Sequence, residues 1–260
     1  MIHFVGAGSG AADLITVRGK KLLEQADVII YAGSLVNPEL LEDKKEDCVV
    51  YDSARMTLEE VFSVMKETEA KGLTTVRLHT GDPCIYGAIR EQMDLLDKAG
   101  IVYDYCPGVS AFCGAASALN LEYTLPGISQ TVIITRMAGR TPVPEREEIA
   151  KLASHGATMV IFLSTGMLEQ LTQRLLAGGY QKETPAAIVY KATWPDERSY
   201  TCTVETLAQC AKEHNVTKTA LIIVGDTVAQ AGYNRSELYH PAFSTEFRNA
   251  SVRREEEACR

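Results

Sequence analysis

Five short apolar runs divide the first half of the chain: "IHFV" from Ile2, "DVIIY" from Asp27, "CVVY" from Cys48, "TTVRL" from Thr74 and "IVYDY" from Ile101. Each has the length and β-branched or aromatic content of a strand. Between them lie stretches with helical character. "LITVRGKKLLEQA" carries Leu14, Val17, Lys21 and Leu22 around a helix. "LEEVFSVMKETEAK" opens on the capping-box pattern Thr57-Leu-Glu-Glu60 and closes at Gly72, and "AIREQMDLLDKAG" ends on Gly100. Strands separated by helices pair in parallel, because the helix supplies the crossover and covers a face of the sheet. The N-terminal half is therefore predicted to be an α/β domain with a mostly parallel sheet.

The second half reads differently. From Leu119 to Gln130, "LNLEYTLPGISQ" has no clear period and carries Pro126-Gly127, which marks a boundary. Beyond it, "TVIIT" and "TMVIFL" flank a helix, and "TALIIVG" follows the helix "ETLAQCAKEH". "AAIVY" and "SYTCTV" are separated only by a Trp194-Pro195-Asp196 turn, too short for a parallel crossover, so a hairpin in a mixed sheet is expected. The expected organisation is two α/β domains: residues 1–118, a linker 119–130, a second domain 131–240, and a tail 241–260. Its end, "VRREEEACR", reads as solvated and partly disordered. A chain of 260 residues with 46% hydrophobic content supports two domains of roughly 120 residues each.

Composition excludes several classes of function. A net charge of -8 without a basic run argues against nucleic-acid binding, although a local Arg and Lys cluster can still hold an anion. The longest apolar runs fall far below the roughly 20 residues of a membrane helix. "MIHFVGAGSG" reads as a first strand, not a leader, which favours the cytoplasm. The seven cysteines, Cys48, Cys84, Cys106, Cys113, Cys202, Cys210 and Cys259, contain no Cys-x-x-Cys pair and are expected to be free thiols. The five histidines show no ligand spacing, so no protein-held metal is expected.

Three glycine-bearing turns follow predicted strands. Gly6-Ala-Gly8-Ser-Gly10-Ala11 fits the dinucleotide fingerprint G-x-G-x-x-A, but that fingerprint needs an acid at the end of the second strand, where this chain has Tyr31-Ala32. Asp13 would also stand near a pyrophosphate. A tight strand-to-helix turn, a substrate-facing edge and a dinucleotide site all remain open for this loop. Gly81-Asp82-Pro83 and Pro107-Gly108-Val109-Ser110-Ala111 follow the fourth and fifth strands. Parallel sheets bind ligands beyond the carboxyl ends of their strands, so the three loops should share one rim. Plain turns would also use these residues.

In this order, "VGAGSGAADLITVRG", "HTGDPCIYG" and "CPGVSAF" resemble the tetrapyrrole methyltransferases that use S-adenosylmethionine, over nearly the whole chain. The segments "YAGSLVNPELL", "KATWPDE" and "RSELYHPAFSTEFR" are similar to the branch that methylates carbon 11 of the macrocycle on the way to cobalamin. Many relatives have Pro-Gly-Asp-Pro where this chain has Ser9-Gly10-Ala11-Ala12. The resemblance implies a cofactor folded into a cleft between the domains, lined by Gly81, Asp82, Ile85, Tyr86, Ser110 and Ala111. Met167 of "STGM" would lie near the adenine, with backbone groups supplied by Thr219 and Ala220. Gly8 and Ser9 lie on the loop that faces substrate in the family. Arg18, Arg55, Arg136, Arg140 and Lys191 are candidates for the carboxylates of a modified tetrapyrrole, since guanidinium forks suit carboxylates. The family also implies a homodimer. Methyl transfer needs no enzyme nucleophile, and "GVSAF" has Phe112 where a nucleophile elbow requires glycine. The alternatives are a sibling acting on another ring carbon, a relative such as diphthine synthase acting on a protein, a dinucleotide-dependent reductase, and a tetrapyrrole carrier without activity.

Overall fold

A computed structural model describes residues 1–252; residues 253–260, with Cys259 and most of the expected tail end, lie outside the described residues. By contacts the chain divides into two units. The first comprises Met1–Asn120, Ile188–Tyr200 and Lys212–Leu221; the second comprises Leu121–Ala187, Thr201–Ala211 and the chain from Ile222 onward.

The first unit begins with β1 (Ile2–Gly6), α1 (Val17–Gln25), β2 (Val28–Tyr31) and β3 (Val49–Asp52). It continues with α2 (Leu58–Ala70), β4 (Thr75–His79), α3 (Arg90–Ala99), β5 (Tyr103–Cys106) and α4 (Ala111–Leu119). The strands form one sheet in the order β3-β2-β4-β1-β5, and every pair is parallel. Local chemistry sets the helix ends. Thr57 and Glu60 close the expected capping box on α2, with Thr57 N donating to Glu60 Oε2 at 2.7 Å. Gly100 ends α3 in the left-handed conformation. α1 starts at Val17, not at Leu14, because Thr16 accepts from the Gly19 N–H and caps it there.

Strand alternation sends alternate residues to two cores. Ile2, Phe4, Val28 and Ile30 pack with Val61 and Met65 of α2 and with Met93 and Leu96 of α3. Val5, Ile29, Val76, Leu78 and Cys106 pack on the other face, with Leu23 of α1 and Leu40. Full burial of each large apolar side chain stabilises the unit by about 1.5–3 kcal/mol. β4 lies at the centre and is buried throughout. It nevertheless carries Arg77 and His79, only 6% and 4% exposed. Arg77 Nη1 donates to the Ile30 carbonyl at 3.1 Å and its Nε to Gln92 Oε1 at 3.0 Å. The His79 ring lies 6.3 Å from that of Phe4, and its Nε2 has no hydrogen-bond partner among the described residues. Burial, reinforced by the Arg77 charge, pushes the His79 pKa down to about 3.

The remaining elements are β6 (Val132–Arg136), α5 (Ile149–Ala153), β7 (Thr158–Phe162) and α6 (Leu168–Ala177). They are followed by β8 (Pro185–Tyr190), β9 (Arg198–Thr203), α7 (Leu207–Glu213) and β10 (Ala220–Val224). The second sheet has the order β6-β7-β10-β8-β9. β6 and β7 are parallel, and β10 runs antiparallel to β7, so the sheet is mixed as the sequence pattern required. β8 and β9 are bonded neighbours joined only by residues 191–197, a connection too short for a parallel crossover.

Unfolded His79 takes a proton near the ordinary value of 6.5, whereas folded His79 stays neutral down to about 3. The unfolded state therefore binds the extra proton, and stability falls as pH is lowered from 6.5 toward 3. Urea unfolding between pH 7 and pH 4 should show this loss. His79→Phe, which cannot be protonated, is expected to reduce the slope by up to about 1.4 kcal/mol per pH unit. Parallel slopes for the two proteins would contradict the assignment.

Candidate functional site

Three backbone turns meet where β4, β1 and β5, adjacent in the first sheet, end at their carboxyl termini. A Cβ placed on Gly6 would stand 2.6 Å from Gly108 Cα and 2.6 Å from the Gly81 carbonyl oxygen, well inside any real contact. A Cβ on Gly108 would meet the same Gly81 oxygen and lie 2.8 Å from Gly6 Cα. Gly81 has φ 62°, a conformation glycine adopts without penalty. Its N–H donates to the Gly8 carbonyl at 2.8 Å, and the Gly8 N–H returns a bond to the Gly81 carbonyl at 3.3 Å. The expected shared rim is thus a direct backbone clamp.

Asp82 fastens the clamp sideways. Its Oδ1 accepts from the Cys84 N–H at 2.8 Å and from the Tyr105 hydroxyl, and its Oδ2 accepts from the Gly108 N–H at 2.9 Å. Burial works to raise the Asp82 pKa, but the hydrogen bonds from Cys84, Tyr105 and Gly108 outweigh it and hold the carboxyl below its ordinary value. Tyr105 is raised, first by burial and then by its bond to this carboxylate. Beyond Pro83 the chain reverses so tightly that a Cβ on Gly87 would lie 2.8 Å from Pro83 Cα. Tyr86 and Ala88 on either side have φ of 57° and 49°, a left-handed strain of about 1–2 kcal/mol per residue. This strain also delays α3 to Arg90, two residues after the start that its sequence pattern suggests. Ile85 is half-buried and Tyr86 exposed. Ser110 is buried at the start of α4, and the Ala111 N–H lies 3.2 Å from where a Gly81 Cβ would stand. Gly81, Asp82, Ser110 and Ala111 are therefore together, with Ile85 and Tyr86 on the adjoining turn.

The Gly6 loop is held by residues far along the sequence. Ser9 is buried, with its hydroxyl 3.1 Å from Thr193 Oγ1, which also accepts from the Ala11 N–H at 3.0 Å. Asn37 Nδ2 donates to the Gly10 carbonyl at 3.0 Å, and a Cβ on Gly10 would collide with the Trp194 ring. Gly8, also buried, has φ 85°. Lys191 pairs with Asp196 at 2.7 Å and lies 5.4 Å from the Trp194 ring centre, while its backbone N–H donates to the Thr219 carbonyl at 3.0 Å. That bond places Thr219, with φ 56°, and buried Ala220 beside Lys191. Thr193, Trp194, Asn37 and Tyr105 escape sequence reasoning as site-building residues; the segment "KATWPDE" is visible there, but not its packing on the Gly6 loop.

Of the other candidate cations in the first unit, Arg18 is exposed, and Arg55, also exposed, lies 3.9 Å from Asp52. In the second unit Arg136 donates to the carbonyls of Met137, Thr141 and Pro142 at 3.1, 3.1 and 2.8 Å, which shapes the chain after β6. Arg140 is exposed on that segment. Buried Ser164 links the ends of β6 and β7, accepting from the Met137 N–H at 2.9 Å and donating to the Phe162 carbonyl at 2.7 Å. Met167 is half-buried, and its Cε would lie 3.5 Å from a Cβ on Gly139.

Residues 1–208 match the family described as Tetrapyrrole (Corrin/Porphyrin) Methylases. The chain is 50% identical to the cobalt-precorrin-4 C(11)-methyltransferase of Methanocaldococcus jannaschii, over 96% of each protein. It is 43% identical to the precorrin-4 C(11)-methyltransferase of Mycobacterium tuberculosis, over 93% of this chain and 96% of that protein. The X-ray structure of a cobalamin biosynthetic enzyme, cobalt precorrin-4 methyltransferase, superposes with a TM-score of 0.86 at 43% identity, covering 87% of this chain and 95% of that one.

Two substitutions test the clamp. Gly108→Ala forces a methyl group against the Gly81 carbonyl and the Gly6 backbone, and is expected to cost about 1–3 kcal/mol or more in chemical denaturation. Asp82→Ala removes a charged acceptor from three donors and should lower stability by about 2–4 kcal/mol at pH 7. Because the folded pKa of Asp82 is depressed, its contribution is complete above the ordinary value of 3.8 and is lost as pH falls through the lowered folded value. The difference between wild type and Asp82→Ala should therefore shrink only in that acid range. A constant difference down to the lowest accessible pH would contradict the charged role.

Proposed function

The chain belongs to the tetrapyrrole (corrin/porphyrin) methylase family, and from that premise we propose that it transfers a methyl group from S-adenosylmethionine to carbon 11 of precorrin-4 or its cobalt form, in cobalamin synthesis. The observation that carries this assignment is 50% identity over nearly the full length of both proteins to an enzyme of that activity.

The donor supplies an activated methyl group. When bound, it would give up its methyl to a ring carbon that contributes the electron pair of the new bond; sulfur would keep the electrons of the broken bond, and the positive charge would pass to the macrocycle and leave as a proton to solvent. The protein's work is positional. Holding the reacting atoms in near-attack geometry can supply about 7–11 kcal/mol. In the first unit, Gly81, Asp82, Ile85, Tyr86, Ser110 and Ala111 are assigned to the donor, with Thr219 and Ala220. In the second unit Met167 is assigned to the same ligand. What supports this assignment is the rigid backing of the turn: Gly81 is bonded to Gly8 through both its peptide groups and packs on the Ser110–Ala111 backbone, and the strained turn that follows carries half-buried Ile85 and exposed Tyr86.

The macrocycle's carboxylates need cations. Arg18, Arg55 and Lys191 of the first unit and Arg136 and Arg140 of the second are assigned to them, and Gly8 and Ser9 to the substrate-facing loop. Arg136 keeps its Nε–H and one Nη2–H beyond the carbonyl bonds that fix its fork. A dinucleotide-dependent reductase is disfavoured at Gly10, where Trp194 and Asn37 already occupy the loop. The same assignment carries a cytoplasmic homodimer. No helix among the described residues is long and apolar enough to cross a membrane.

The deciding experiment is incubation of the protein with isotope-labelled S-adenosylmethionine and purified precorrin-4, with and without cobalt, and NMR location of the label. A new methyl group at carbon 11 is expected. Label at another ring carbon would move the assignment to a sibling activity, and a Trp194 fluorescence response that saturates with NADPH but not with S-adenosylhomocysteine would overturn it. For Arg136→Ala, calorimetry should show tetrapyrrole affinity falling more than cofactor affinity; equal losses would remove Arg136 from the substrate contacts.

A further inference from the structure

Arg77 stands in the most deeply buried strand of the first sheet, 6% exposed, and among the described residues it forms no ion pair. Burial lowers its pKa to about 10. A buried guanidinium is costly, and an apolar chain of similar volume commonly replaces a buried charge without loss of stability, so packing alone does not account for Arg77. Its bonds show a different use. Arginine can only donate. Its Nη1 holds the Ile30 carbonyl and its Nε points at Gln92, which must therefore turn its amide oxygen, not its nitrogen, toward Arg77. That choice aims the Gln92 Nε2 at the Ala88 carbonyl, 3.0 Å away.

Ala88 ends the strained turn that Asp82 begins. Asp82 pins the front of the turn to Gly108 and Tyr105, and Gln92 pins the rear, with the left-handed Tyr86 and Ala88 between them. We propose that Arg77 and Gln92 form a positioning relay that holds the Asp82–Ala88 turn in its strained, donor-binding shape, and so set affinity for the methyl donor without touching it. This rests on the assignment of the turn to S-adenosylmethionine given above.

Gln92→Glu separates positioning from stability. The new carboxylate still accepts from Arg77, now as an ion pair, but presents an oxygen to the Ala88 carbonyl where a donor stood. Thermal melting should be unchanged or raised, while the Kd for S-adenosylhomocysteine by calorimetry rises about five- to tenfold, the range expected for one lost hydrogen bond. The tetrapyrrole Kd, and kcat at saturating donor, should stay within about twofold of wild type. Arg77→Met, which frees the Gln92 amide to turn, should weaken the donor in the same selective way and serves as the second variant should Gln92→Glu not fold. Unchanged donor affinity in both variants, or equal loss of donor and tetrapyrrole affinity, would overturn the relay. Wild-type protein that fails to bind S-adenosylhomocysteine would instead sink the functional assignment on which the relay depends.

Discussion

Contact of three stretches of bare backbone at Gly6, Gly81 and Gly108 is the constraint on which the first unit depends. No side chain, not even a methyl group, fits between them. For the turns to touch, the strands that feed them must be immediate neighbours, and β1 accordingly lies between β4 and β5. The parallel pairing of these strands brings their carboxyl ends to one edge, where such sheets place ligands. The reciprocal bonds between Gly8 and Gly81 then tie the first and fourth loops without a side chain. The same contact that closes the sheet's edge thereby fixes the three loops on one another, with their peptide groups bonded between loops or to Asp82.

In each unit, polar groups that look available in the sequence are engaged in holding loops in place. Ser9 bonds to Thr193, Lys191 pairs with Asp196, and Arg136 grips three carbonyls of the chain that follows it. Asp82 accepts from two loops at once, and against the opposing effect of burial those donors hold its carboxyl below the ordinary value. Such engagement suits a reaction in which no side chain becomes covalently attached and rate comes from geometry. Each contact removes freedom from the loop that it holds.

Beneath the rim, the face of β4 turned toward α2 and α3 carries Arg77 and His79 where packing alone would favour apolar residues. Arg77 links β2 and α3 through hydrogen bonds, and its charge helps keep neighbouring His79 neutral. The strained Tyr86–Ala88 segment persists because groups on both sides over-determine it. Polar burial in the core and strain at the rim are thus connected through Gln92.

The sequence by itself determined the alternation of strands and helices, the parallel first sheet and the mixed second one, because side-chain period and connection length are local properties that leave few pairings open. It also determined where the three turns lie, since Gly81, Asp82 and Pro83 fit few other backbones, and the ordered motifs implied the family. Only the tertiary structure decided that Thr193 and Trp194, nearly two hundred residues away, close the Gly6 loop, that Tyr105 and Gly108 bind Asp82, and that Arg136 is turned onto its own loop. Those contacts depend on which strands become neighbours and how closely their ends approach, and no local periodicity encodes either distance.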